Sequence, residues 1–304
     1  MRFEFALACY ILPQIVMGGR EITRLQSLKF GGFLVALFAI ELLALMLPSK
    51  LMITGHEGDL MHMLDASLRM ASGELPHLDF MTPIGILGFA PVAGFLALGL
   101  TVGKATLLAE AAVLALMLPI IWWVAATRLS RGQAYYFAIV IVVTMMAVVY
   151  GGGSSTISLS MYYNRWGWSL TFLLLVTILF KPQRNMGERW IAPTVIGLIM
   201  ASLAMLKMTY FVPLLPVVIL ILLAQKQARL LLVSMAIGLM AGVAMLGWLG
   251  LEFFLAYLDN LLVVTRPESA RVNTGASFTD IVASPGIYPR RFRSGHHQKV
   301  IKIS

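Results

Sequence analysis

Long apolar runs separated by short polar connections organise this chain. They fall at about residues 31–48, 83–101, 105–127, 134–152, 167–181, 191–207, 210–225 and 230–250, with 251–265 as a further candidate. Most approach the roughly 20 residues that carry a helix across a hydrocarbon core of about 30 Å. Within such a core every backbone polar group must be paired internally, which helices achieve on their own. A barrel would alternate polarity in segments of about ten residues, and runs such as 137–150 and 214–224 alternate nowhere. The pattern predicts an all-α fold, a polytopic transmembrane helix bundle. One polar stretch departs from it. From Glu57 to Ser72, Asp59, His62, Asp65 or Ala66, and Arg69 recur at spacings of three to four, while Leu60, Met63, Leu64 and Leu68 fall toward the other side. That spacing predicts an amphipathic juxtamembrane helix in the first outer loop.

Composition strengthens the membrane reading. Hydrophobic residues make up 59% of the 304 positions and charged residues 12%, with a mean hydropathy of +0.86, whereas a soluble domain carries about a quarter charged residues. The net charge of +9 is explained first by cytoplasmic loops and anionic head groups, so membrane lipid is the expected partner and nucleic acid is not. Cys9 is the only cysteine, which excludes an intrachain disulfide and a cysteine-based metal site. The short apolar stretch 5–17 leads into Arg20, Arg24 and Lys29 without a small-residue cleavage site, so residues 1–30 read as a cytoplasmic or interfacial segment. Residues 31–265 then form the transmembrane domain, with the first outer loop at 49–82. Residues 266–304 form a basic tail without a core pattern, for which disorder is the expectation.

Charge also orients the spans. The basic connections 20–29, 128–131, 181–189 and 226–229 should share the cytoplasmic side. Simple alternation from an outer loop at 49–82 would put Arg128 and Arg131 outside. The conflict disappears when 83–127 makes an odd number of net crossings, as it does when Pro83–Leu100, rich in Gly and Pro, is re-entrant or broken. Residues 162–168 and Lys207 then join the acidic loop on the outer face.

Chemistry concentrates in that loop. The chain has only 14 acids, yet Glu57, Asp59, Asp65, Glu74 and Asp79 all lie between two apolar segments where insertion does not call for them. A solvated helix face accounts for His62, Asp65 and Arg69. It accounts less well for Glu57 and Asp59, which stand at or before the helix start with a glycine between them. As i and i+2 carboxylates they can face one divalent cation, or one can act as a base while the other holds a metal. Glu41, about midway along the first span, reads as an acid facing the bundle interior. Glu110 reads as a polar packing contact.

Glu57-Gly58-Asp59 resembles the modified DxD signature, often ExD, of the GT-C class of membrane glycosyltransferases, which act on polyprenyl-phosphate-linked sugars, as mannosyl- and aminoarabinose-transferring members do. Residues 73–80, leading to Thr82-Pro83-Ile84-Gly85, are similar to the "G-x-x-P-y-x-D-x-x-x-P-x-G" segment before the second span of these proteins. Ala201 to Lys207 is similar to their "G-l-A-x-l-x-K" segment. The likeness covers roughly residues 30–225. It departs at His56, where many members have Asp, and at Arg165, where relatives often place a second acid. It implies catalysis by Glu57 and Asp59, substrate binding by His77, Asp79, Arg165 and Lys207, and a possible magnesium or manganese ion on Glu57 and Asp59. The implied donor is a polyprenyl-phosphate sugar, whose leaving phosphate Arg165 and Lys207 would neutralise. The implied location is the inner membrane of a bacterial-type cell, with transfer on the periplasmic face. Members of the class usually continue into further spans, so a C-terminal truncation is expected. The competing readings are interfacial anchoring for Arg165 and Lys207, and for the whole chain a transporter or flippase of a lipid-linked or small anionic substrate, or a non-catalytic membrane subunit.

Overall fold

The computed structural model describes residues 24–46, 52–53, 57–147, 156–157 and 162–265. The tail from 266 onward, the segment 1–23 and the glycines at 151–153 lie outside them. Among the described residues ten α-helices form the fold: α1 (Arg24–Met46), α2 (Glu57–Ala71), α3 (Ala90–Ala97), α4 (Val102–Arg128), α5 (Arg131–Met146), α6 (Tyr162–Leu179), α7 (Glu188–Leu206), α8 (Met208–Ala224), α9 (Ala228–Leu249) and α10 (Leu251–Thr265). Helices α1, α4, α7 and α9 are long and apolar enough to cross a membrane. The chain is thus an all-α bundle with a membrane protein's helices. Among the described residues, the one strand pairing is a two-residue parallel pairing of β1 (Met52–Ile53) with β2 (Thr156–Ile157), which joins the first polar loop to the connection between α5 and α6.

The run at 83–101 is broken. A 3-10 turn at Ile86–Gly88 precedes α3, whose eight residues span about 12 Å at 1.5 Å per residue, far short of a hydrocarbon core. Gly99, in the left-handed region at φ 82°, ends α3 with a Schellman motif in which Leu100 N–H donates to Phe95 O and Gly99 N–H to Leu96 O. The segment folds back onto the end of α7, where Gly85 N–H donates to Leu206 O at 3.0 Å. A Cβ on Gly85 would sit 2.0 Å from Met205 O, so only glycine allows the approach.

The remaining helices run between two ends. At one, here the Arg128 end, Trp122 Nε1 donates to Ser27 O, Trp123 Nε1 to Met186 O and Gln225 Nε2 to Ile178 O. Arg128 itself is buried. Its Nε donates to Thr177 O at 3.0 Å, Nη1 to Thr127 Oγ1 at 2.8 Å, and Nη1 and Nη2 to the two carboxylate oxygens of Glu188. The sequence places Arg128 in a solvated basic loop, whereas the structure makes it the tie between α4, α6 and α7. The expectation that the basic connections share a side is met for 128–131, 181–189 and 226–229, together with Ser27 and Lys29 of α1. At the opposite, Lys207 end lie α2, the broken segment and the first turns of α6 and α8. Helix α7 packs closely on α9 because Gly197 and Gly238 face each other, a Cβ on Gly197 reaching 2.5 Å from Ser234 O.

Candidate functional site

Helix α2 lies at the Lys207 end as the spacing predicts. Leu60, Met63, Ala66 and Ser67 are buried, and Asp65 and His62 are exposed. The boundary differs from the expected one at two positions. Ala66 faces inward and Leu68 outward, because a 3.6-residue period from Leu60 returns at 63, 66–67 and 70 and passes over 68. Glu57 and Asp59 belong to the first turn of α2, and their side chains lie outside the described residues. Glu41 is half-buried on α1.

The loop after α2 is tightly shaped. Gly73, at φ 98°, closes the helix with a second Schellman motif, with Glu74 N–H donating to Arg69 O and Gly73 N–H to Met70 O. Arg69 then clamps the loop. Its Nε donates to Glu74 Oε2 at 2.6 Å, its Nη2 to Asp79 O at 2.9 Å, and its guanidinium lies 4.6 Å from the centre of the Phe80 ring. Asp79, a sequence candidate for substrate binding, accepts from Leu75 N–H at 2.7 Å and so holds the turn. His77, the other candidate in this loop, is in the left-handed region at φ 73° and only 5% exposed. Its ring packs against Tyr257 at 4.4 Å and Phe253 at 5.2 Å. Burial lowers its pKa to about 4, although the Thr82 backbone and the Asn260 amide oppose the shift. Neither ring nitrogen has a hydrogen-bond partner of good geometry among the described residues. The neutral ring therefore contributes packing and not charge. Thr82 N–H donates to Asn260 Oδ1 at 3.0 Å and Tyr257 OH to Ala204 O at 2.9 Å, which fastens the loop to α10 and α10 to α7.

Lys207 reaches the first turn of α6, the turn that carries Arg165. Lys207 is the single extended residue between α7 and α8. Its Nζ donates to Asn164 Oδ1 at 3.2 Å and lies 5.1 Å from the centre of the Tyr163 ring. Tyr210 OH donates to the same Asn164 Oδ1 at 3.3 Å. Gly167 makes room for that tyrosine, since a Cβ there would reach 2.6 Å from its ring. Arg165, the next residue along α6, is 8% exposed and lies near Glu110 on α4. Glu110 is fully buried; its Oε2 accepts from Trp166 Nε1 at 2.9 Å. Tyr162 OH donates to Gly88 O at 2.5 Å, so α6 also holds the broken segment. The packing contact read for Glu110 is present, but sequence reasoning missed its link to Arg165. The available signal was that Glu110 is the only acid between 102 and 128.

The outcome for the candidates is uneven. Lys207 shares a cluster with Asn164, Tyr163 and Tyr210, at the same end as α2, and Arg165, in the same turn of α6, is buried on the side of Glu110. His77 and Asp79 lie at that end too, with side chains engaged in packing and turn formation. No group of three or more His, Cys, Asp or Glu side chains gathers among the described residues; the residues read as metal ligands, Glu57 and Asp59, are outside that search. The donor set around Lys207, its ammonium beside an amide and two phenols, suits an anion such as phosphate. Compared with family models, with curated proteins and with solved structures, the chain finds no match in any of the three.

Proposed function

We propose that the chain is an integral-membrane glycosyltransferase that moves a sugar from a polyprenyl-phosphate carrier to an acceptor hydroxyl at the Lys207 end. The basic connections at the opposite end support placing the Lys207 end away from the cytoplasm, on this reading the periplasmic side of a bacterial-type inner membrane. The observation that carries the reading is the contact of Lys207 with Asn164, beside the buried Arg165 in the same turn of α6, at the end of the bundle where β1–β2 and the broken segment hold the acid-bearing loop.

In this reaction the acceptor oxygen attacks the anomeric carbon, the bond from that carbon to the phosphate oxygen breaks, and polyprenyl phosphate leaves with the bonding electrons. The acceptor proton passes to Glu57 or Asp59. Lys207 and Arg165 neutralise the departing phosphate from positions fixed before the reaction, in surroundings drier than water, where such charges act strongly. On this reading Glu57 and Asp59 are also where a magnesium or manganese ion belongs. The steps given need none, because two cationic side chains supply the positive charge.

The test is release of polyprenyl phosphate, the product common to every sugar. The full chain in proteoliposomes is offered a panel of undecaprenyl-phosphate sugars with hydroxyl acceptors. Loss of the general base should lower turnover at least about 100-fold in a Glu57→Gln, Asp59→Asn double variant. Lys207→Ala should raise the donor KM about tenfold or more, and Lys207→Arg should raise it less. Undiminished release by the double variant would end this proposal. Movement of intact donor across the bilayer without release would favour the transporter reading.

A further inference from the structure

At the Arg128 end, remote from the candidate site, a cavity of about 380 Å³ opens between the start of α7, the loop before it and the start of α9. Its lining divides by chemistry. Arg189 and Arg229 lie on the first turns of the two helices, and Pro193 and Leu230 continue the wall with apolar surface. Trp190 is 64% exposed, and the Arg189 guanidinium lies 5.3 Å from the centre of its ring. An exposed tryptophan beside arginines at the end of an apolar helix is the arrangement that sits at head-group depth.

One acid, Glu188, also lines the cavity. Both its oxygens are engaged by the buried Arg128, so its charge is already balanced and Arg189 and Arg229 leave the cavity positive. The two helix starts are held at a fixed separation by the Gly197–Gly238 contact.

We propose that this cavity binds the phosphate of an anionic phospholipid, such as phosphatidylglycerol, from the leaflet at the Arg128 end. Arg189 and Arg229 take the phosphate, and the beginning of an acyl chain lies along Pro193 and Leu230. A zwitterionic head group would bring an ammonium toward two arginines. A soluble phosphate would leave the apolar wall unused. The inference is independent of the glycosyltransferase reading.

The experiment measures phosphatidylglycerol affinity of the delipidated full chain in neutral detergent by native mass spectrometry. Each basic residue near the surface contributes about fivefold, so Arg189→Gln, Arg229→Gln should weaken binding about 30-fold at an unchanged unfolding midpoint. Arg189→Lys, Arg229→Lys should keep most of the affinity and guards against a folding defect in the glutamine pair. Lys181→Gln, Arg184→Gln removes equal charge from the same connection without touching the cavity lining, and should leave affinity within about twofold. Equal loss in that control pair would reduce the effect to a diffuse surface field and overturn the site. So would unchanged binding in the cavity pair. Displacement of the lipid by inorganic phosphate would reassign the cavity to a soluble anion.

Discussion

His77 is built to stay neutral, and that makes the stability of the fold sensitive to mild acid. Its ring is enclosed by Tyr257 and Phe253, and its pKa falls from 6.5 to about 4 by loss of solvation. In the unfolded chain the ring takes a proton as the pH drops through about 6.5. In the folded chain it does not until about 4. The unfolded state therefore gains protons first, and stability present at neutral pH is lost progressively across that window. At about 1.4 kcal/mol per unit the ceiling is about 3 kcal/mol. Solvent screening in a loop this near the surface lowers it, leaving about 1–2 kcal/mol. For a chain of this size that is a fall of about 2–3 °C in unfolding midpoint. Thermal unfolding in detergent from pH 7.5 to 4.5 reads it, with His77→Phe as the reference because phenylalanine keeps the aromatic packing and cannot titrate. The wild-type midpoint should drop relative to the variant as the pH falls. Parallel curves for the two proteins would refute the assignment of a neutral, buried ring.

At the other end, Glu188→Gln leaves the buried Arg128 charge uncompensated and should cost about 3 kcal/mol, whereas Arg128→Leu with Glu188→Leu should recover most of it, as thermal unfolding would show. A Glu188→Gln variant as stable as the wild type, with the double variant destabilised, would point to the Thr177 and Thr127 contacts instead. Gly85→Ala must push a methyl group into Met205 O, so it should destabilise by about 1–3 kcal/mol. Gly94→Ala, on α3 with nothing near its Cβ position, should be neutral or stabilising by up to about 1 kcal/mol. In a Cys9→Ser background, a cysteine at Ser72 should react with an impermeant maleimide from outside the cell, and one at Asn185 only after permeabilisation. Labelling of both from one side would remove the orientation.

The helices were legible because apolar length is a strong local signal, and every run except 83–101 became a helix, although the first begins at Arg24 instead of 31 and the fourth ends at Met146 instead of 152. The break was legible too, but only indirectly. Local hydropathy alone reads 83–101 as a span; the alternation of basic connections is what disallows it, and the Gly85–Leu206 contact supplies the physical cause. Two features had no readable signal. The left-handed conformation of His77 follows from a turn held by Arg69 and Asp79, a long-range outcome of side-chain geometry. The burial of Arg128 depends on Glu188, 60 residues on. A basic residue in a short connection between spans looks identical whether it is solvated or enclosed. Of the site candidates, charge type and end of the bundle were readable. Which side chains remain available was not, since Asp79 and His77 are taken up by contacts that form only in the folded loop.

The broken segment also decides how far the candidate site can rearrange. Gly85 is bonded to Leu206, the residue before Lys207, and Gly88 accepts from Tyr162, three residues before Arg165. Lys207 and Arg165 are therefore each tied, within one helical turn, to the same short stretch of backbone. Residues 77 and 82 at the start of that stretch are fixed to α10 through the Tyr257 ring and the Asn260 amide, and Tyr257 returns to Ala204 on α7. These contacts close a loop of non-covalent links around the Lys207 end. Were 83–101 a continuous helix, the Gly88 carbonyl would accept from the amide four residues on instead of being left to Tyr162, while the first-turn N–H of Gly85 would stay free in either case. The break thus frees the Gly88 carbonyl, which together with the Gly85 N–H ties the segment to the turns that carry Arg165 and Lys207. A substitution at Gly85 should therefore disturb Lys207 and Arg165 together, even though neither side chain touches it.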